Sequence, residues 1–230
     1  MTEPMVLKKR QPRSPSKLSS APPPFASALT ARELRVFRGF KSPRHIQDFL
    51  DGIAYSTDPV YRSPRSVLRD RKAHCFDGAL FAAASLRFLG YPPLIIDLLA
   101  ENDDDHLLAV FRDDGLWGAV AKSNFTGLRF REPIHRTLRE LVLTYFEQFF
   151  NTRGAKSLRR FTRPLNLAKL DALRWMTSDE QLEIIVEQVD AGRQTAIVPS
   201  HLLPRLARVD RRSFEAGMAG ADPAGLFTPK

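Results

Sequence analysis

The chain has 230 residues, 43% apolar and 27% charged, a globular composition with room for one large or two small domains that excludes a fibre or a collagen-like repeat. Its single cysteine rules out an internal disulfide, so packing must hold the fold, and a reducing compartment, the cytoplasm by default, is expected. The net charge of +9 is local: residues 1–72 carry 15 Lys+Arg against 6 Asp+Glu, and the rest of the chain carries 20 of each.

Residues 1–28 hold six prolines, five serines and five basic residues. Such a stretch buries too little apolar surface to offset its ordering entropy, and a disordered basic arm is expected. No apolar segment follows its charges, so it does not read as a secretory leader, and no run of eighteen apolar residues is long enough to cross a membrane. Order is expected from Leu29. Thr30-Ala-Arg-Glu33 reads as a capping box, with Leu29 and Leu34 as the hydrophobic staple, and predicts a helix to about Phe40. Ser42-Pro43 and Ser63-Pro64 each place a cap before a proline at the first helical position.

Residues 75–89 form an Ala-rich pattern in which Cys75, Ala79, Ala82, Ala83, Leu86 and Leu89 share a face, ended by Gly90. Three apolar runs of strand length follow: Leu94 to Leu99, His106 to Phe111, and Leu116 to Ser123. An Asp113-Asp114-Gly115 turn joins the last two. A long helix is expected after Pro133, with Leu138, Leu141, Val142, Tyr145 and Phe149 inward. Ser178 to Gln181 reads as the cap of a second, with Leu182, Ile185, Val186 and Val189 on one stripe. The expected organisation is an arm over 1–28, one α+β domain over 29–198 (core about 65–125, C-terminal helices 133–192), and a partly ordered tail over 199–230. In that domain a central helix packs on a small antiparallel sheet and other helices flank it.

Chemistry points to Cys75. A thiol attacks as thiolate, and a helix N-terminus, nearby cations and a histidine are what lower its pKa. Cys75 opens its predicted helix, Arg69, Arg71 and Lys72 lie just upstream, and His106 opens a strand 31 residues later. If the hairpin turn has three residues, His106 faces Lys122, and Asn124 lies diagonally beyond on the same face. A lysine ammonium accepts no hydrogen bond, whereas the Asn124 amide oxygen can hold the imidazole N–H. A two-residue turn would instead put Ser123 or Ala121 opposite His106.

Ala73-His-Cys75-Phe-Asp77-Gly-Ala79, then Leu-Arg-Phe-Leu-Gly90-Tyr-Pro, Asp-His106 and Gly115-Leu-Trp117 resemble the transglutaminase-like cysteine hydrolase superfamily, of the papain-like fold group, over roughly residues 65–125. The resemblance implies that Cys75 is a nucleophile and His106 a general base, on a helix and an antiparallel sheet. Two positions depart from the pattern. The aspartate usual four residues after the tryptophan is Ala121, and the aromatic usual two after the histidine is Leu108. Asn124 in its place would complete a Cys-His-Asn set.

Each of these residues also has an ordinary structural reading. A cysteine packs as a small hydrophobe, a strand-end histidine caps a loop, and an asparagine makes a turn. The reading that follows is a thiol-dependent acyl hydrolase or acyltransferase on a peptide or protein amide, needing no cofactor and no metal. The competing readings are an inactive module of the same fold that binds a peptide, and a nucleic-acid-associated protein using the basic arm, whose attraction would be salt-sensitive and sequence-blind.

Overall fold

The computed structural model describes residues 24–229; of the basic arm, residues 1–23 lie outside the described residues, and Pro24–Ala28 make a short 3-10 turn. Helix α1 (Ala31–Gly39) starts with the complete capping box, Thr30 Oγ1 accepting from the Glu33 N–H and Glu33 accepting from the Thr30 N–H at 2.7 Å. Helices α2 (Pro43–Asp51) and α3 (Pro64–Asp70) each begin with a serine cap and a proline. Between and after them, β1 (Ala54–Tyr55) and β2 (Lys72–Ala73) form a two-stranded parallel ribbon. It leads directly into α4 (Cys75–Phe88).

Strands β3 (Leu94–Ala100), β4 (His106–Asp113), β5 (Leu116–Val120) and β6 (Arg131–His135) follow, then α5 (Leu138–Phe146), β7 (Leu158–Thr162), β8 (Leu165–Asn166), α6 (Glu183–Asp190), β9 (Gln194–Ala196) and α7 (Arg211–Met218). The seven strands from β3 to β9 make one antiparallel sheet in the order β6-β5-β4-β3-β7-β9, with β8 also paired to β3. The architecture is α+β, a central helix on an antiparallel sheet.

Several local expectations change. The stretch after Pro133 is not one long helix. Residues 131–135 are an edge strand, where a proline costs no ladder bond, and the helix begins behind the Thr137 cap. Ser178 does not cap α6, which starts at Glu183 without a side-chain cap; its hydroxyl accepts from Glu180 instead. The tail past residue 199 carries α7, whose Gly217 lies so close to Phe150 that a Cβ there would sit 2.5 Å from the ring.

The β4–β5 turn has two residues, Asp114 (φ 47°) and Gly115 (φ 84°), the positive-φ pair of a type I′ hairpin. Asp113 pairs with Leu116 and Ala109 with Val120. Continued toward His106, this register sets Ser123 opposite it, one residue away from the expected Lys122. Because a slip of one residue moves every side chain to the other face, Asn124 falls on the face opposite His106.

The two faces hold two cores. On one, Ile95, Ala109, Phe111 and Val120 pack against α4, which α1, α2 and α3 enclose from behind. Residues Phe76 to Leu86 of α4 are buried all round, so the single apolar stripe expected of it is a fully wrapped helix. On the other face, Ile96, Leu98, Leu108, Val110, Ala119 and Ala121 pack against Leu141, Val142, Tyr145 and Phe149 of the α5 region.

Candidate active site

Cys75, His106 and Asn124 all border one cavity of about 430 Å³ at the end of the sheet. They reach it from different sides. Cys75 is the first residue of α4 and partly exposed. Its sulfur lies 3.9 Å from the Asp105 carbonyl oxygen, against the main chain that opens β4. The His106 side chain belongs to the other face: its ring stands edge-on to Phe149 at 6.3 Å, and its Nε2 lies 2.7 Å from the Leu128 carbonyl oxygen. No hydrogen bond joins the thiol to the imidazole.

The Leu128 contact sets the tautomer. A carbonyl oxygen only accepts, so Nε2 carries the proton and Nδ1 is the basic nitrogen. This is the holding role that the hairpin register assigned to Asn124. Ala121, where the resembled family carries its aspartate, lies on the same face as His106, but its methyl offers the ring nothing. Both its main-chain groups are held by Gln47, whose Oε1 accepts from the Ala121 N–H at 3.1 Å and whose Nε2 donates to the Ala121 carbonyl at 2.9 Å.

Asn124 has other partners. Its Nδ2 donates to the carbonyls of Asp222 (2.9 Å) and Gly225 (3.2 Å), and its Oδ1 accepts from the Asp222 N–H (2.8 Å). Lys122, expected opposite His106, turns to the α4 face and donates to the Leu50 and Ile53 carbonyls at the end of α2. Gly78 makes room for it, since a Cβ there would meet the Lys122 Cβ at 2.3 Å.

The electrostatics keep the thiol neutral. Burial pushes it up to about 12, with Asp97 and Asp104 adding negative charge and the Leu107 and Phe76 main-chain N–H groups opposing. Burial pushes His106 down to about 4. The three upstream cations expected to favour a thiolate are engaged elsewhere: Arg69 with Asp70, Lys72 with Asp58, and Arg71 over the Phe49 ring. With the thiol so high and the imidazole so low, a thiolate–imidazolium pair is strongly disfavoured in this arrangement.

His74, read from the sequence as a flanking loop residue, is the cap of α4. Its Nδ1 accepts from the Phe76 and Asp77 N–H groups, and burial holds the ring down to about 4. Sequence reasoning also missed the group behind it. Arg62 is buried and meets Asp58, Asp70, Asp77 and the Ser56 hydroxyl. Asp77, fully buried, accepts from the Arg62 N–H at 2.7 Å and the His74 N–H at 3.3 Å. The sequence signal was Asp77 itself, three residues after His74, a capping-box spacing with an unusual cap. This network fixes the loop that delivers Cys75. Tyr55, also unforeseen, lines the cavity, and its hydroxyl is raised by burial and by the neighbouring thiol.

Among the described residues no cluster of three or more His, Cys, Asp or Glu side chains is arranged to hold a metal ion, and no helix is long and apolar enough to cross a membrane.

No family model and no curated protein matches this chain. Among solved structures, LapG of Legionella pneumophila in an EGTA-treated form is 17% identical over 43% of this chain and 66% of its own, with a TM-score of 0.31. A second LapG structure is 15% identical over 48% of this chain and 86% of its own, with a TM-score of 0.30. Likeness of this degree carries no argument about what the chain does.

Proposed function

We propose that the chain is a thiol-dependent acyl hydrolase or acyltransferase acting on amide bonds, with Cys75 as nucleophile and His106 as general base. The observation that supports it is a single cavity bordered both by a helix-starting thiol and by an imidazole whose Nε2 is committed to a carbonyl, leaving Nδ1 basic. In the reaction, Nδ1 takes the proton from Sγ as the sulfur bonds to the amide carbon. The Cys75 main-chain N–H at the start of α4 faces the developing oxyanion. The amide C–N bond then breaks as Nδ1–H passes its proton to the leaving nitrogen. Water or an amine, deprotonated by Nδ1, attacks the thioester and releases the sulfur, which regains its proton.

In this reading the arrangement is a resting one, with thiol and ring both neutral, and substrate must bring sulfur and ring together. The test is acylation: the full chain is incubated with activated peptide esters and its mass measured intact. We expect an acyl adduct on Cys75 that is absent in Cys75→Ala and forms about 100-fold more slowly in His106→Ala, the lower end of what a general base contributes. An adduct indifferent to His106, or none, overturns the reading. Ala121 and the neutral pair favour the second reading, a peptide-binding module of the same architecture.

A further inference from the structure

The Cys75 cavity carries a charge opposite to that of the chain as a whole. Asp58, Asp103, Asp104 and Asp105 border it, and among the described residues no lysine or arginine does, although the chain has 35 Lys+Arg against 26 Asp+Glu. Three of these carboxylates are engaged elsewhere. Asp58 pairs with Arg62 and Lys72, Asp103 accepts from the Ser157 hydroxyl at 2.6 Å, and Asp105 accepts from the Ala100 N–H at 2.6 Å. The Asp104 carboxylate, exposed at the rim, has no ion pair or hydrogen bond among the described residues. Its charge nevertheless reaches the site, raising both the Cys75 thiol and the Tyr55 hydroxyl. A second unpaired acceptor stands at the inner wall. Asp97 is 2% exposed and its Oδ1 has no partner; it pairs across the strands with Leu107, a residue of the cavity wall, so the two side chains share a face. Tyr55, Tyr61 and Phe76 add aromatic surface. Unpaired carboxylates beside aromatic rings bind a guanidinium or ammonium group, whereas an anionic or plain apolar side chain would leave them without a partner.

We infer that the Cys75 cavity selects a peptide carrying an arginine or lysine side chain close to the amide presented to the sulfur, with Asp104 as the residue that determines this specificity. This substrate class rests on the proposed function for the chemistry at Cys75; the charge of the cavity stands without it. Once docked, the cation offsets one of the charges that oppose the thiolate, so the substrate itself eases ionisation of the nucleophile.

Cys75 is the single cysteine of the chain, so its reaction with charged thiol reagents reads the cavity. The full chain is treated with two methanethiosulfonates of like size, one ending in trimethylammonium and one in sulfonate, and adduct formation is followed by intact mass. Both reagents need the same thiolate, so its population cancels from the ratio of their rates. We expect the cation to be favoured about tenfold beyond the ratio found for a small neutral thiol, and the excess to collapse in about 1 M salt. Asp104→Asn should remove most of that excess and Asp104→Lys should abolish it; because Asp104 is exposed, neither substitution disturbs the core. The acylation assay is then repeated with peptide esters that differ only in arginine, norleucine or glutamate at the acylating residue. The arginine ester should acylate Cys75 about tenfold faster than the norleucine ester, and lose that advantage in Asp104→Asn. A rate ratio no greater than that of the small thiol, or one that both Asp104 variants leave unchanged, overturns the assignment. Charge selectivity without any acyl adduct sinks the catalytic reading alone, and a His106-dependent adduct that forms equally fast from all three esters sinks the cationic specificity alone.

Discussion

The two faces of the sheet are closed in different ways, and the candidate site lies where they meet. The α4 face is sealed by three helices and by a buried ionic group in which Arg62 meets three carboxylates. The α5 face is completed by α7 and the segment after it, through Phe214 and Gly217 against Phe150, Thr126 Oγ1 donating to the Ala216 carbonyl at 2.8 Å, and the Asn124 carboxamide on Asp222. The first holds Cys75 at the start of α4, and the second holds His106 against Phe149 and the Leu128 carbonyl.

The contrast can be broken at its strong side first. Arg62→Met should lower stability by about 3 kcal/mol, because it leaves the fully buried Asp77 without its cation while Asp58 and Asp70 keep Lys72 and Arg69, read as a fall in the urea midpoint. A loss under 1 kcal/mol would mean that the network is not what fixes the approach to Cys75. Gly78→Ala should cost about 1–3 kcal/mol by forcing α4 off Lys122, again by urea unfolding, and should slow Cys75 alkylation less than it destabilises the fold.

Asp97 sharpens the comparison through pH. It lies buried on the α4-facing side of β3 with Oδ1 unpartnered, and burial, with Asp105 and Asp190 nearby, pushes it up from 3.8 to about 7. The folded state therefore binds this proton more tightly than the unfolded chain, and stability drains away as pH rises from about 3.8 to about 7. Asp97→Asn removes that drain, so its stability relative to the parent should improve by about 1.4 kcal/mol per pH unit across the window. Unfolding at pH 4, 5.5 and 7 measures it, and a pH-independent difference would contradict the assignment. His74 and His106, both lowered, act with the opposite sign and are unchanged in both proteins. The smallest effect belongs to the weak side. Thr126→Val should cost about 0.5–1.5 kcal/mol and speed amide exchange in Arg211–Met218 while leaving α4 protected.

Much of the fold was legible because its signals are local. The capping box at Thr30, the serine–proline starts of α2 and α3, and the Ala-rich helix opening at Cys75 each need only a few neighbouring residues to specify a conformation. The order of helix, strand and hairpin that sets Cys75 at the start of α4 and His106 at the start of β4 was legible as well. What failed turned on one residue: Asp113-Asp114-Gly115 reads equally well as a two- or three-residue turn, and the choice decides whether Asn124 lies beside His106 or behind it. The short strands β7, β8 and β9 carry too little alternation to be seen without the partners that hold them.

The amino-acid order by itself determined the α+β class, the start of α4 at the cysteine and the absence of an internal disulfide, since capping, periodicity and residue counts are properties of the chain. Tertiary structure decided that the upstream cations serve aspartates and an aromatic ring and not the sulfur. It gave the Leu128 carbonyl the imidazole and brought a segment 150 residues downstream to form part of the wall of the cavity beside Cys75. Which charge meets which partner, and how far a thiol is kept from water, depend on distances between remote residues, and those exist only once the chain has closed on itself.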